Sequence, residues 1–296
     1  MKLLTSLIVL IVIFSFFPSS YFFAVNKEFF NQIKKSVVFL GNVNNKGEYS
    51  PFATGFLINI RNVTHLVTAK HVVIECKNSQ FTGKFIDNGL CVFFNNIDGM
   101  IASRSIDDIK KNYGVNWIFH NNDVVDIALI PFPLHKGKDD VRTIPEHIFW
   151  STDKLFEFYD VFYLSYQPGI KFEKMIFPIT RNGTISLIND DKTIFIDGFA
   201  FPGNSGSPVF IKPFPIRFNK DSFTIEGELP PSECKFIGVI GGYIPYQESA
   251  VSTQTGRTRI LFEENTGLSK VWSFTFINEI TESDIFKKQL INLTKQ

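Results

Sequence analysis

Ten runs of four to eight residues, rich in Val, Ile, Phe and Thr and closed by Gly, Asn, Asp or Pro, constrain this chain most. They occupy residues 36–40, 53–60, 64–68, 90–94, 124–130, 161–166, 184–188, 193–196, 207–211 and 235–240. Runs of that span bury a strand, whereas a helix needs a longer apolar stripe. Helical patterns are few: 25–35, a segment near 104–111, and the tail 272–293, where Phe274, Phe276, Ile277, Ile280, Ile285, Phe286 and Leu290 form one stripe. Many strands with turn signals between them predict an all-β protein, built as a sandwich or a pair of barrels.

At 296 residues the chain can bury one large core or two modest ones. A less regular link over 131–153 divides the strands into two groups, so the expectation is an N-terminal unit over 25–135, a link over 136–154 and a C-terminal unit over 155–296. Two surface loops are expected, at 212–233 and 246–266. Lys and Arg number 30 against 29 Asp and Glu, which gives no electrostatic case for a nucleic-acid partner. Lys2 followed by the apolar run 3–17 and then Pro18, Ser19 and Ser20 has the layout of a signal peptide over 1–24. Left uncut, residues 3–25 are long enough to act as a membrane anchor. The reading is therefore an exported chain, with the leader cut or retained as an anchor. Cys76, Cys91 and Cys234 are an odd set; export would permit a Cys76–Cys91 disulfide, and three buried thiols are the alternative. No HExxH, paired CxxC or GxxxxGK pattern is present, so neither a metal nor another cofactor is expected.

"FPGNSGSPVF" at 201–210 sets a sharp Gly-rich turn between apolar residues, with Ser205 at its centre. A serine hydroxyl becomes a useful nucleophile only beside a base, and that base needs an acceptor to fix its tautomer. Among five histidines, His71 leaves the end of a β-rich run in "TAKHVV". His65 belongs to the strand before it, and His120, His135 and His147 read as solvated loop residues. Asp126 lies between Val125 and Ile127 in "DIALIPF". A carboxylate there needs donors to offset its desolvation, and a turn-capping aspartate is the alternative.

"TAKHVV", "DIALIPF" and "GNSGSPVF", in that order, resemble the trypsin-like serine peptidases of chymotrypsin fold. They look closest to exported bacterial glutamyl endopeptidases and HtrA-type proteases, without a PDZ module after the tail helix. The resemblance implies two antiparallel β-barrels with a C-terminal helix and an N-terminal hydrophobic leader. It implies His71 as base, Asp126 as its orienter and Ser205 as nucleophile, with the N–H groups of Gly203 and Ser205 as oxyanion donors. The substrate pocket it implies is lined by Phe199, Ala200, Val239, Ile240 and Gly241. An apolar Phe199 at its base argues for an apolar substrate side chain, and Asp197 reads as a turn residue. Asn204 stands where digestive relatives carry an aspartate that pairs with a newly cut N-terminus, so activation by that ion pair is not expected. The implied partner is a protein or peptide substrate, and the alternative function is a silent binding module on the same fold. The oligomeric state is not legible.

Overall fold

The computed structural model describes residues 19–44, 46–77, 80–170, 173–213, 216–219, 222–225 and 234–294. Most of the expected leader lies outside them. Helix α1 (Ser19–Ser36) runs through the expected cleavage point after Ala24. Among the described residues no helix is long and apolar enough to cross a membrane.

The N-terminal half contains β1 (Val37–Val43), β2 (Tyr49–Ile60), β3 (Val63–Thr68), the hairpin β4 (Ile74–Lys77) and β5 (Gln80–Phe85), then β6 (Cys91–Asn95) and β7 (Ile101–Ser105). Helix α2 (Ile106–Tyr113) follows, and then β8 (Ile118–Phe119) and β9 (Ala128–Pro131). The Ser105 hydroxyl accepts from the Asp108 N–H at the start of α2, and Gly114 ends the helix at φ 62°. The C-terminal half contains β10 (Asp160–Ser165), β11 (Ile179–Ile188), β12 (Thr193–Asp197), β13 (Pro208–Ile211), the hairpin β14 (Ile216–Asn219) and β15 (Ser222–Ile225), β16 (Lys235–Val251) and β17 (Thr258–Ser273). The chain then enters α3 (Phe274–Glu282) and α4 (Asp284–Thr294).

In the C-terminal half, β10-β11-β12-β17-β16-β13 close a six-stranded antiparallel barrel. In the N-terminal half, seven strands form one sheet in the order β7-β6-β1-β2-β3-β9-β8, and β4 and β5 pair separately. Ala102 near one edge and Phe119 at the other pack on the same interior cluster, so this sheet is rolled around one core. The expected all-β architecture of two barrel-like halves with a helical C-terminus is the one observed.

Alternation along the strands explains why their sequences read as nearly continuous apolar runs. Val38 and Leu40 of β1, Leu57 of β2, Leu66 of β3 and Ile130 of β9 fill the N-terminal interior. Their neighbours Phe39, Phe56, Ile58, Val67 and Leu129 point the other way, into a cluster shared with Phe162, Phe210, Phe236 and Trp272 of the other half. A strand buried on both faces loses the polar alternation of a one-sided sheet. The link is stitched to both halves: the Ile144 N–H donates to Leu57 O at 2.9 Å, and the Trp150 N–H to Phe236 O at 2.9 Å.

Two expectations need correction. Residues 246–266 are not a loop, because β16 and β17 continue as a paired ribbon through Val251 and Thr258. The tail is two helices, not one stripe: the Ser283 hydroxyl accepts from Phe286 N–H and starts α4, while its own N–H closes α3 on Ile280 O.

His65 docks that tail. It is buried, stacks on Phe286 with ring centroids 5.0 Å apart, and donates from Nδ1 to Val63 O at 2.9 Å. Burial pulls its pKa down from 6.5 to about 4, against the opposing pull of the Val63 bond. The unfolded chain therefore takes up this proton near pH 6.5 while the folded chain excludes it down to about pH 4. The contribution is complete above the upper value and lost as pH falls to the lower one, amounting to roughly 3 kcal/mol. Urea unfolding at neutral and acid pH should show that loss in the native chain and not in His65→Phe. Equal losses in both chains would contradict it.

Candidate active site

Strand β3 ends at Thr68, and Lys70–Val72 form a single 3-10 turn, closed by the Val73 N–H on Lys70 O. The turn presents His71 with its side chain 34% exposed. Nδ1 of His71 donates to Asp126 Oδ2 at 2.7 Å, and its backbone N–H donates to Asp126 Oδ1 at 2.8 Å. Asp126 lies in the approach to β9, although the run 124–130 had predicted a strand; pairing begins only at Ala128. Val125 and Ile127 point into the cluster between the halves, so the residue between them turns toward His71. Burial alone would lower the His71 pKa, but the charge of Asp126 and its hydrogen bond outweigh it, and the pKa is raised above 6.5.

Ser205 comes from the C-terminal half. Gly203 (φ +98°) and Gly206 (φ +84°) on either side take left-handed conformations that other residues adopt at a cost. A Cβ on Gly206 would lie 2.1 Å from Thr54 O and 2.4 Å from Thr68 Oγ1, so only a glycine lets the turn settle on β2 and β3. The turn is held by neutral bonds. Asn204, fully buried, accepts from Phe201 N–H at 2.9 Å and donates to Tyr166 O at 2.7 Å. The N–H groups of Asn204, Gly206 and Ser207 go to the carbonyls of Phe201, Ile240 and Asn204. Among the described residues, those of Gly203 and Ser205 donate to no protein acceptor.

The two halves meet at this turn. The Ser205 hydroxyl donates to Gly241 O at 3.3 Å, and a Cβ on Gly241 would lie 3.5 Å from Asp126 Oδ2. Among the described residues, no hydrogen bond joins Ser205 Oγ to His71. Thr54 is the residue the sequence reading missed. Its N–H donates to Ser205 O at 3.0 Å and its hydroxyl to Gly203 O at 2.7 Å, and it accepts from Tyr166 N–H at 2.9 Å. A threonine inside "ATGFL" carries no local signal of that role.

The expected pocket residues separate. Ala200 is buried, its N–H on Ser269 Oγ at 3.0 Å and its carbonyl on Asn265 Nδ2 at 2.7 Å. Phe199 is 52% exposed, stacks on Phe201 at 6.2 Å and lies against Gly267. Its carbonyl accepts from the Tyr163 hydroxyl at 2.6 Å, and burial pushes that phenol up to about 12. Ile240 packs in the C-terminal barrel core. Val239 faces the cluster between the halves instead, so it does not belong to a pocket wall. Asp197 is exposed at the end of β12, as a turn residue would be.

Of the loop histidines, His120 is not solvated as expected, with its side chain 13% exposed, whereas His135 is exposed as expected. His120 bonds to Glu279 of α3 at 2.8 Å, and His135 Nδ1 lies 3.1 Å from Arg104 Nη2. The Cys76–Cys91 disulfide that export would permit is not formed, and the three thiols are not all buried: Cys76 is exposed on β4, Cys91 half-buried on β6 and Cys234 buried. Among the described residues, no group of three or more His, Cys, Asp or Glu is placed to hold a metal ion.

Residues 53–212, more than half of the chain, match a family model described as a trypsin-like peptidase domain. The chain is also similar to the crystal structure of the serine endoprotease from Yersinia pestis, with a TM-score of 0.46 and 12% identity over 88% of this chain. It spans 66% of that protein's chain. No curated protein sequence matches it.

Proposed function

We propose, from the premise that this chain belongs to the trypsin-like peptidase family, that it is an exported serine endopeptidase acting through His71, Asp126 and Ser205. The observation that carries this reading is the grip of Asp126 on His71 through both carboxylate oxygens, at 2.7 and 2.8 Å, beside the Gly241 carbonyl that holds the Ser205 hydroxyl. Asp126 fixes the proton on Nδ1 and leaves Nε2 as the base. Ser205 Oγ leaves Gly241 O, passes its proton to Nε2 and bonds to the substrate carbonyl carbon. The oxygen of that carbonyl takes the negative charge beside the open N–H groups of Gly203 and Ser205. Collapse of the adduct breaks the C–N bond. The imidazolium gives its proton to the leaving amine, and an acyl group stays on Ser205. Water then attacks the acyl carbon as Nε2 takes its proton; the C–Oγ bond breaks, the imidazolium returns the proton to Ser205, and the acid leaves.

The acyl-side pocket is framed by Phe199 and Gly241, whereas Ala200 and Ile240 are buried in the barrel core. The phenyl ring against Gly267 narrows the pocket and gives it an apolar wall, which supports a small apolar side chain before the cut bond. Export rests on the apolar leader 3–17.

Catalysis needs neutral His71, so activity rises as pH passes upward through its pKa. The acid limb of kcat/KM on an uncharged peptide substrate should have its midpoint above 6.5, the ordinary histidine value from which His71 is raised. Failure to cleave a peptide library, or a midpoint below that value, would count against this assignment.

A further inference from the structure

A cation that the mechanism does not use, Arg181, lies against Phe201 at the start of the turn carrying Ser205. Tyr163 and Arg181 are paired across β10 and β11, so their side chains leave the sheet on the same face. Tyr163 reaches into the barrel core and holds Phe199 O. Arg181 extends beside it, its guanidinium carbon 4.8 Å from the Phe201 ring centroid, and its Nη2 donates to Gln167 Oε1. Its Nε is buried with no hydrogen-bond partner among the described residues. A cation so placed, with a neutral amide and an aromatic face as its partners, pays desolvation without the return of an ion pair.

The contacts close a ring. Gln167 follows Tyr166, whose carbonyl accepts from Asn204; Asn204 accepts from Phe201 N–H, and Phe201 lies under Arg181, which returns to Gln167. Gly203 sits inside the ring, where a Cβ would be 3.0 Å from both the Tyr166 ring and Pro168. We infer that Arg181 is a positioning residue that clamps residues 166–168 to the turn 201–206, and so presets the N–H groups of Gly203 and Ser205. The role of that clamp in the reaction rests on Ser205 being the nucleophile; the clamp itself does not. Asn204 carries no charge, so Arg181 supplies the ionic member that the turn otherwise lacks.

The test compares the full chain with Arg181→Met, which keeps the aliphatic stem and loses the charge, and with Arg181→Lys. Hydrogen exchange at the Asn204 and Ser207 amides should be about tenfold faster in Arg181→Met, with the amides of the barrel strands unchanged. Labelling of the serine by a fluorophosphonate should slow about 100-fold, the scale of losing one oxyanion donor. Added guanidinium ion should recover about tenfold of it, and Arg181→Lys, without the planar fork, should recover less than that. Unchanged exchange in Arg181→Met overturns the clamp whatever the labelling does. An unchanged labelling rate, where the unmutated chain labels, overturns its role in the site. No label on the unmutated chain overturns the peptidase reading instead, and exchange still decides the clamp.

Discussion

Ser205→Ala should lower peptide turnover roughly a million-fold while leaving the unfolding midpoint close to that of the native chain. The size follows from what is removed. With no hydroxyl, the covalent route closes, and what remains is attack by water assisted by binding and by the two open N–H groups. The change is small for the fold, because among the described residues Ser205 Oγ makes one long bond, 3.3 Å to Gly241 O, and its backbone contact with Thr54 survives. Steady-state turnover of a peptide substrate beside a denaturant titration checks both halves of this statement. A variant retaining a tenth of the activity would place the chemistry elsewhere.

Asp126→Asn should cost about 10,000-fold in kcat. The asparagine side chain offers one acceptor where the carboxylate offered two, and both Nδ1–H and the backbone N–H of His71 now use Asp126. If the amide oxygen satisfies the backbone, its NH₂ meets Nδ1, and the imidazole is driven to the tautomer whose proton sits on Nε2. A base in that form cannot accept the Ser205 proton. The acid limb should also move. Burial lowers the His71 pKa, and only Asp126 raises it, so the variant's residual activity should titrate at lower pH than the native chain's. A loss below tenfold with an unmoved limb would make Asp126 a structural turn residue.

The sequence disclosed the parts of this site that local patterns encode. His71 ends a strand, Ser205 sits in a Gly-rich turn, and Asp126 interrupts an apolar run; each departs from its surroundings within a few residues. Thr54 and Arg181 do not. A threonine on a two-sided strand and an arginine on an amphipathic one are ordinary residues there, and their roles come from partners more than ten positions away. Val239 and Ile240 show another limit: both are apolar neighbours on β16, and only packing decides that one faces the other half and the other the barrel. Residues 246–266 read as a loop because both faces of that ribbon are exposed, so no burial imposes a period on them. The break at Ser283 did have a signal, a hydroxyl just before Asp284, which the continuous apolar stripe concealed.

The central claim is that Ser205 is a nucleophile activated by His71. Its most direct test is to treat the purified full chain with a fluorophosphonate and map the modified residue by peptide mass spectrometry. One adduct per chain, on Ser205 and absent from His71→Ala, is the predicted result. An intact folded chain that takes no label, or one labelled at another serine, would contradict it.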